Sequence, residues 1–383
     1  MRDPRKALYH ALFSIMNLGL FMQPVHPPWR DIGEALEEDR QAIMLADRLA
    51  FTECWIGEHF TAVTEPISSP LMFCATLVHR TRQIRFGCGV LALPAQHPVV
   101  VASQAALFDH LSGGRFLMGV GPGTLSSDVE VFGVDDIVCR SKMMAESLDI
   151  ILRLWTDKAP FEFDGEFFPF SLQDLSRHRF GVGALVKPLQ KPHPPVALSL
   201  TAPGSFSAGV CGERGFIPVS ANFIHSRHVA SHWTTYREGC ERAGRRPDPA
   251  VWRIARSIFV SDDESLASDR VADPQGVFAW YYEYLLSGFR RRGAVFLVKE
   301  SDEVADEAIT PVGIAESLVI AGTPDRVLDR LIAFREEVGD FGTLLDVAHD
   351  WQDPVLGKRS MQLLAEEVMP RFRRHCQAIR RPI

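Results

Sequence analysis

A few short stretches carry residues able to do chemistry. Glu58 and His59 follow the short strand-like segment 53–57 in ECWIGEHF. An imidazole titrates near neutrality, so at the open end of a strand it can give a proton or a hydrogen bond to a reacting atom. The neighbouring Glu58 is expected to orient it. In SLTAPGSFS, residues 199–207, the Gly204 amide, Ser205 and Ser207 stand where a strand gives way to a helix. Free N–H groups and hydroxyls at a helix start can hold a phosphate, although a simple serine N-cap would use the same residues. Arg140, at the start of another helix, could pair with the same anion. At Gly121-Pro122-Gly123 bare backbone can approach a ligand or merely turn a corner. His225, His228 and His232 share a helical spacing, but no carboxylate or cysteine is placed to complete a metal site. No metal is expected there; solvent exposure or, for His225, a pocket-lining place is the better reading. Asn222 is a further pocket candidate.

Short apolar runs rich in Val, Ile and Phe alternate with longer amphipathic segments, the pattern of βα units around a parallel sheet. Strands are expected at 13–22, 53–57, 84–91, 116–120, 196–200, 216–219, 252–260 and 343–347. Helices are expected at 32–49, 71–79, 99–111, 140–155, 205–213, 227–243, 326–338 and 355–372. About eight such units predict an α/β fold, a (β/α)8 TIM barrel, formed by the whole chain 1–383 as one domain. Functional loops then belong at the C-terminal ends of the strands, where the stretches above fall. Two connections, 156–194 after helix 4 and 261–322 after strand 7, are too long for bare loops and read as insertions serving as lids or interfaces. Gly113 and Gly114 are expected to stop a helix.

Hydrophobic residues make up 46% and charged residues 23%, the balance of a globular chain. A net charge of −7 without a sustained basic stripe argues against nucleic acid. Seven scattered cysteines without CxxC spacing suit a reducing cytoplasm. The apolar run 11–22 behind Arg5 and Lys6 imitates a signal peptide, but Asn17 interrupts it and no A-x-A site follows. No run is long enough for a membrane span. An early GxGxxG and a GxSxG are both absent, which argues against a Rossmann dehydrogenase and a nucleophile elbow. The chain holds 25 Phe against 5 Tyr. Phe21, Phe60, Phe167, Phe168 and Phe223 are candidate walls of an apolar pocket, each also at home in an ordinary core.

The stretch HPVVVASQAALFDHLSGGRFLMGVGPG, residues 97–123, resembles the signature of the bacterial luciferase-like flavin-dependent monooxygenases. WIGEHF at 55–60 resembles that family's strand-two Glu-His motif, and IAGTP at 320–324 resembles its opening of the seventh helix. KPHPP at 191–195 and the tail from Gly339 through Asp350-Trp351 to Met369-Pro370 are similar to the limonene-monooxygenase-type branch. The resemblance spans residues 15–372. It implies a TIM barrel that takes reduced FMN from a separate NAD(P)H:flavin reductase, with FAD or the deazaflavin F420 less expected. Dioxygen would add at flavin C4a, and the (hydro)peroxyflavin would oxygenate a small apolar molecule by Baeyer–Villiger insertion, epoxidation or hydroxylation. Such an adduct survives only where water is excluded.

The resemblance further implies that His59 tunes the adduct. The flavin ring would lie against the backbone of Ala92 and Leu93 near Gly121 and Gly123, with its phosphate at Gly204, Ser205 and Ser207. A homodimer is implied too. Phe60 stands where many relatives have a second histidine, and Pro122 where luciferases have a phosphate-binding arginine, so neither contact carries over. An F420-dependent hydride-transfer enzyme on the same fold is the alternative reading, and a flavin-storing protein the non-enzymatic one.

Overall fold

The computed structural model describes residues 16–379. Its main strands are β1 (Asn17–Met22), β2 (Glu53–Ile56), β3 (Arg85–Cys88), β4 (Phe116–Gly121), β5 (Val196–Leu200), β6 (Ile217–Ser220), β7 (Arg253–Arg256) and β8 (Thr343–Ala348). They hydrogen-bond in the order β3-β2-β1-β8-β7-β6-β5-β4, and a β3–β4 pairing closes the sheet as a (β/α)8 barrel. Between them run α1 (Ile32–Arg48), α2 (Pro70–Ala75), α3 (Pro98–Leu111), α4 (Ile137–Thr156), α5 (Phe206–Arg214), α6 (Ser226–Arg242), α7 (Pro324–Val338) and α8 (Pro354–Leu363). Asp31, Asp136 and Asp353 accept first-turn amides of α1, α4 and α8. Proline opens α2, α3, α7 and α8, where its missing N–H costs nothing.

Each expected strand and helix has its counterpart, with differences at the edges. Residues 13–15 of the first expected strand lie outside the described residues. Helix α2 stops at Ala75 because the Leu77 and Arg80 amides donate three residues back, to Cys74 and Leu77, and Thr76 Oγ1 donates to the Phe73 carbonyl. The expected strand 252–260 breaks at Ser257: β7 pairs with β6 and β8, whereas Ile258–Val260 pairs with Ile320–Gly322. Gly113 and Gly114 adopt φ of +64° and +80° after α3, as a helix stop requires. No described helix is long and apolar enough to cross a membrane.

The described chain divides into two compact units whose boundaries fall inside β2 and β5. In the unit made of residues up to Cys54 and from Leu198 on, β1 pairs with β8 from Asn17↔Thr343 to Met22↔Ala348. A Cβ on Gly19 would lie 2.6 Å from Leu345 Cδ2 and 2.9 Å from the Glu53 carbonyl, so only glycine fits. Arg253 donates to both carboxylate oxygens of Glu53, at 3.1 and 3.2 Å, in a buried bidentate pair. The insertion after β7 is helical, with helices Glu264–Ala272, Val277–Arg292 and Pro311–Leu318.

In the unit Trp55–Ala197, Phe86 of β3 pairs with Phe116 of β4, and the short strand Leu91–Ala92 pairs with Val120–Gly121. Gly119 lets the strands approach, since a Cβ there would lie 1.9 Å from the Cys88 carbonyl oxygen. The insertion after α4 contains a hairpin, Phe161–Phe163 antiparallel to Phe170–Leu172.

Candidate active site

His59 lies just beyond β2, with Nδ1 3.3 Å from Asp128 Oδ2 and Nε2 3.4 Å from Glu65 Oε2. Asp128 sits in the short helix Ser126–Val131, close after the Gly121–Gly123 loop, and also accepts from the amides of Phe60 at 3.1 Å and Thr61 at 2.8 Å. One carboxylate therefore fixes the ring and the two residues after it. Burial pulls the His59 pKa down, but the carboxylates of Glu65 and Asp128 outweigh it and raise it above its ordinary value. Burial would raise Asp128, yet the hydrogen bonds from His59, Thr61 and Phe60 prevail and lower it.

Glu58 does not orient His59, contrary to expectation. Its buried Oε2 accepts the Ala92 amide at 2.8 Å, and Gln96 Nε2 lies 3.3 Å from Oε1. Burial pushes its pKa up to about 7, against smaller opposing effects of the Ala92 amide, His59 and Gln96. Glu58 thus pins the strand Leu91–Ala92 and exchanges a proton near neutrality. The Ala92 amide is used by that bond; Ala92 is half-buried and Leu93 fully buried. Gly121 is buried in β4, whereas at Gly123, with φ +74°, an added Cβ would meet only the Ala92 Cβ, at 3.5 Å.

Arg140 is likewise occupied: Nη1 donates to the carbonyls of Val134 at 2.7 Å and Asp135 at 2.8 Å, while its buried Nε has no partner. It clamps the loop ahead of α4. Phe60 meets Phe132 edge-on at 5.1 Å. Phe168 packs edge-on against His97 at the start of α3, at 5.9 Å, and its amide and that of Phe167 donate to Glu146.

In the other unit Ser205 is the N-cap residue of α5, yet its side chain makes no capping bond. Ser205 and Ser207 are half-buried around the exposed Phe206. The Ala208 amide donates to the Ser205 carbonyl at 2.9 Å, so the two hydroxyls and the remaining first-turn amides form the donor set suited to a phosphate. The Gly204 amide is not part of it, because it donates to Ser231 Oγ at 2.8 Å; its φ of +54° explains the glycine.

A buried histidine anchors this loop. Trp252 Nε1 donates to Ser220 Oγ at 2.9 Å, so the Ser220 hydroxyl is left to donate to His232 Nδ1 at 2.8 Å. His232 Nε2–H then donates to the Ala202 carbonyl at 2.8 Å. Burial pushes the His232 pKa down to about 4, consistent with a neutral ring. His232 is therefore neither exposed, as its helical spacing had suggested, nor a metal ligand. His225 caps α6 by accepting the Arg227 amide, and His228 Nε2 lies 3.1 Å from the Phe296 carbonyl.

Asn222 is buried, with Nδ2 donating to Tyr281 Oη at 3.0 Å and Ser257 Oγ at 3.2 Å. His349 Nε2 lies 2.9 Å from the same Ser257 oxygen. Residues just past β6, β7 and β8 thus meet at one hydroxyl, covered by Tyr281 and Tyr282. Phe223 packs 5.5 Å from Phe289, and Phe21 is half-buried on β1. Among the described residues, His26, Glu38 and Asp350 have metal-like spacing. Arg30 already bonds Glu38 at 3.1 Å and Asp350 at 2.6 Å. Burial would lower His26, but its bonds to Asp350 and Asp39 raise it to about 9, so two cations fill that place.

A model of the luciferase-like monooxygenase family matches residues 16–340. The chain is 34% identical over 363 residues to 4-hydroxyprotoasukamycin monooxygenase of Streptomyces nodosus subsp. asukaensis, covering 93% of this chain and 92% of that protein. It is 30% identical over 360 residues to limonene 1,2-monooxygenase of Rhodococcus erythropolis, covering 94% and 87%. The solved oxygenating constituent of 3,6-diketocamphane monooxygenase from Pseudomonas putida, a type II Baeyer–Villiger enzyme in complex with FMN, superposes with a TM-score of 0.83 at 26% identity, covering 93% and 98%. The chain belongs to the luciferase-like monooxygenase family.

Proposed function

We propose that this flavin-dependent monooxygenase binds reduced FMN and uses dioxygen to oxygenate a small apolar molecule. The observation that carries the reading is His59, held between Asp128 and Glu65 where β2 ends and raised in pKa by them. Bound reduced flavin would supply the electrons that activate dioxygen. The uncapped Ser205 hydroxyl, Ser207 and the first-turn amides of α5 fit its phosphate. His59, favoured as imidazolium, holds a proton and a positive charge where negative charge on oxygen needs a partner. The ring pair Phe60–Phe132, next to His59 in the chain, supplies apolar surface that keeps water out.

FMN rather than F420 is supported by the FMN bound to the 3,6-diketocamphane relative and by the names of the two relatives at 30% identity or more. A separate reductase is supported by that relative being an oxygenating constituent. Helix α3 leaves Val100, Leu107 and Leu111 exposed at helical spacing, with Met72 of α2 exposed as well, an apolar set suited to a second copy of the chain. All seven cysteines are free thiols, in keeping with a reducing cytoplasm.

Anaerobic titration tests the cofactor. Saturable binding of reduced FMN, with reduced F420 binding at least tenfold more weakly, is the expected result. The reverse order would move the chain to hydride transfer.

A further inference from the structure

Where the start of α6, the end of helix Pro311–Leu318 and the body of α7 come together, a cavity of about 220 Å³ opens to solvent. Arg256, Arg330, Ser226, Ser317 and Glu337 are among its lining residues. Arg256 is only 2% exposed. Its Nη1 donates to the carbonyls of Ala221 at 3.2 Å, Asn222 at 3.3 Å and Ala255 at 3.0 Å, and its guanidinium lies 4.4 Å over the Phe334 ring. Its Nη2 is buried without a partner. A guanidinium keeps its charge in proteins, so an unpaired N–H in such surroundings is costly unless something in the cavity accepts from it.

Arg330, the second cation of the wall, forms no ion pair within 4 Å among the described residues, and the Glu264 carboxylate acts on it only at longer range; its Nη1 reaches the Ala321 carbonyl, at 3.5 Å. Glu337 is the sole acid among the lining residues, is exposed, and bonds neither arginine. Two guanidinium groups, two hydroxyls and one carboxylate, which acts on Arg256 electrostatically without bonding it, leave an excess of donors and of positive charge. Water could accept from Nη2 but would not balance the charge, and the cavity has room for a larger occupant.

We propose that this cavity is a binding site for a small tetrahedral oxyanion of the phosphate type, held by Arg256 Nη2 and Arg330 with Ser226 and Ser317 as further donors. It shares no residue with the serine loop of α5. Arg256 Nη1 also holds the carbonyls on either side of the Ala221–Asn222 bond, so an occupant stiffens the loop that carries Asn222.

The test is titration with inorganic phosphate at constant ionic strength set by chloride, followed by calorimetry and by thermal melting, with and without saturating FMN. Saturable binding and a rise in Tm that persist when FMN occupies the serine loop are expected. Arg330→Gln should weaken phosphate at least tenfold, and Glu337→Gln, which removes the competing acid, should tighten it severalfold. A Tm rise that chloride reproduces, a phosphate signal abolished by FMN, or affinities unchanged in both variants would overturn the site.

Discussion

Replacing Glu58 by glutamine should make the protein more stable than the parent at neutral pH and leave the two equal in acid. In the folded chain burial lifts this carboxyl from 4.5 to about 7. Below pH 4.5 both folded and unfolded chains carry the proton. Between 4.5 and 7 only the folded chain keeps it, so parental stability falls with rising pH by about 1.4 kcal/mol per pH unit. Above pH 7 both are ionised, and the accumulated loss is about 3 kcal/mol.

Glutamine keeps an oxygen to accept the Ala92 amide but cannot ionise, so it escapes that loss. His26, raised to about 9, also makes stability fall as pH rises, from 6.5 upward, but it does so in both proteins and cancels in the difference. Urea unfolding of Glu58→Gln and the parent at pH 4.5, 5.5, 6.5 and 7.5 measures the effect. The difference should climb by about 3 kcal/mol in favour of the variant, nearly all of it below pH 7.5. A constant difference over that range would refute the buried, near-neutral carboxyl.

His59→Ala should slow oxygenated product formation by about 10²–10⁴-fold while FMN affinity, read by fluorescence quenching, changes little. Asp128→Asn removes a carboxylate that raises His59, so the alkaline limb of the pH–rate profile should move to lower pH. Ser205→Ala should weaken FMN by about tenfold or more, the loss of a charge-assisted hydrogen bond worth about 1.5–3 kcal/mol, with no change in riboflavin binding, which lacks the phosphate. Leu107→Glu, on the exposed apolar face of α3, should shift the chain from dimer to monomer in sedimentation velocity.

The barrel was legible because each strand is a short apolar run and each helix an amphipathic one, a periodicity the sequence displays directly. Ser257 was not legible as a break, since pairing changes there from β6 and β8 to Ile320–Gly322, and pairing partners leave no mark on the strand itself. Adjacency misled at Glu58-His59: Glu58 reaches Ala92 and Gln96 while His59 reaches Glu65 and Asp128, so the two side chains serve different partners. Asp128 lies 69 residues from His59. The one signal that could have found it is its place in SSDVE, directly after the glycine loop. His232 looked exposed on helical spacing alone because its partners, Ser220 and Ala202, belong to another strand and loop.

The most direct test of the account mixes the anaerobic complex of the protein and reduced FMN with oxygenated buffer in a stopped-flow spectrometer, without substrate. The expected result is a flavin absorbance distinct from both reduced and oxidised FMN that long outlives the oxidation of free reduced FMN, and that is shortened in His59→Ala. Oxidation straight to FMN at the rate of the free flavin, equal in both proteins, would contradict it.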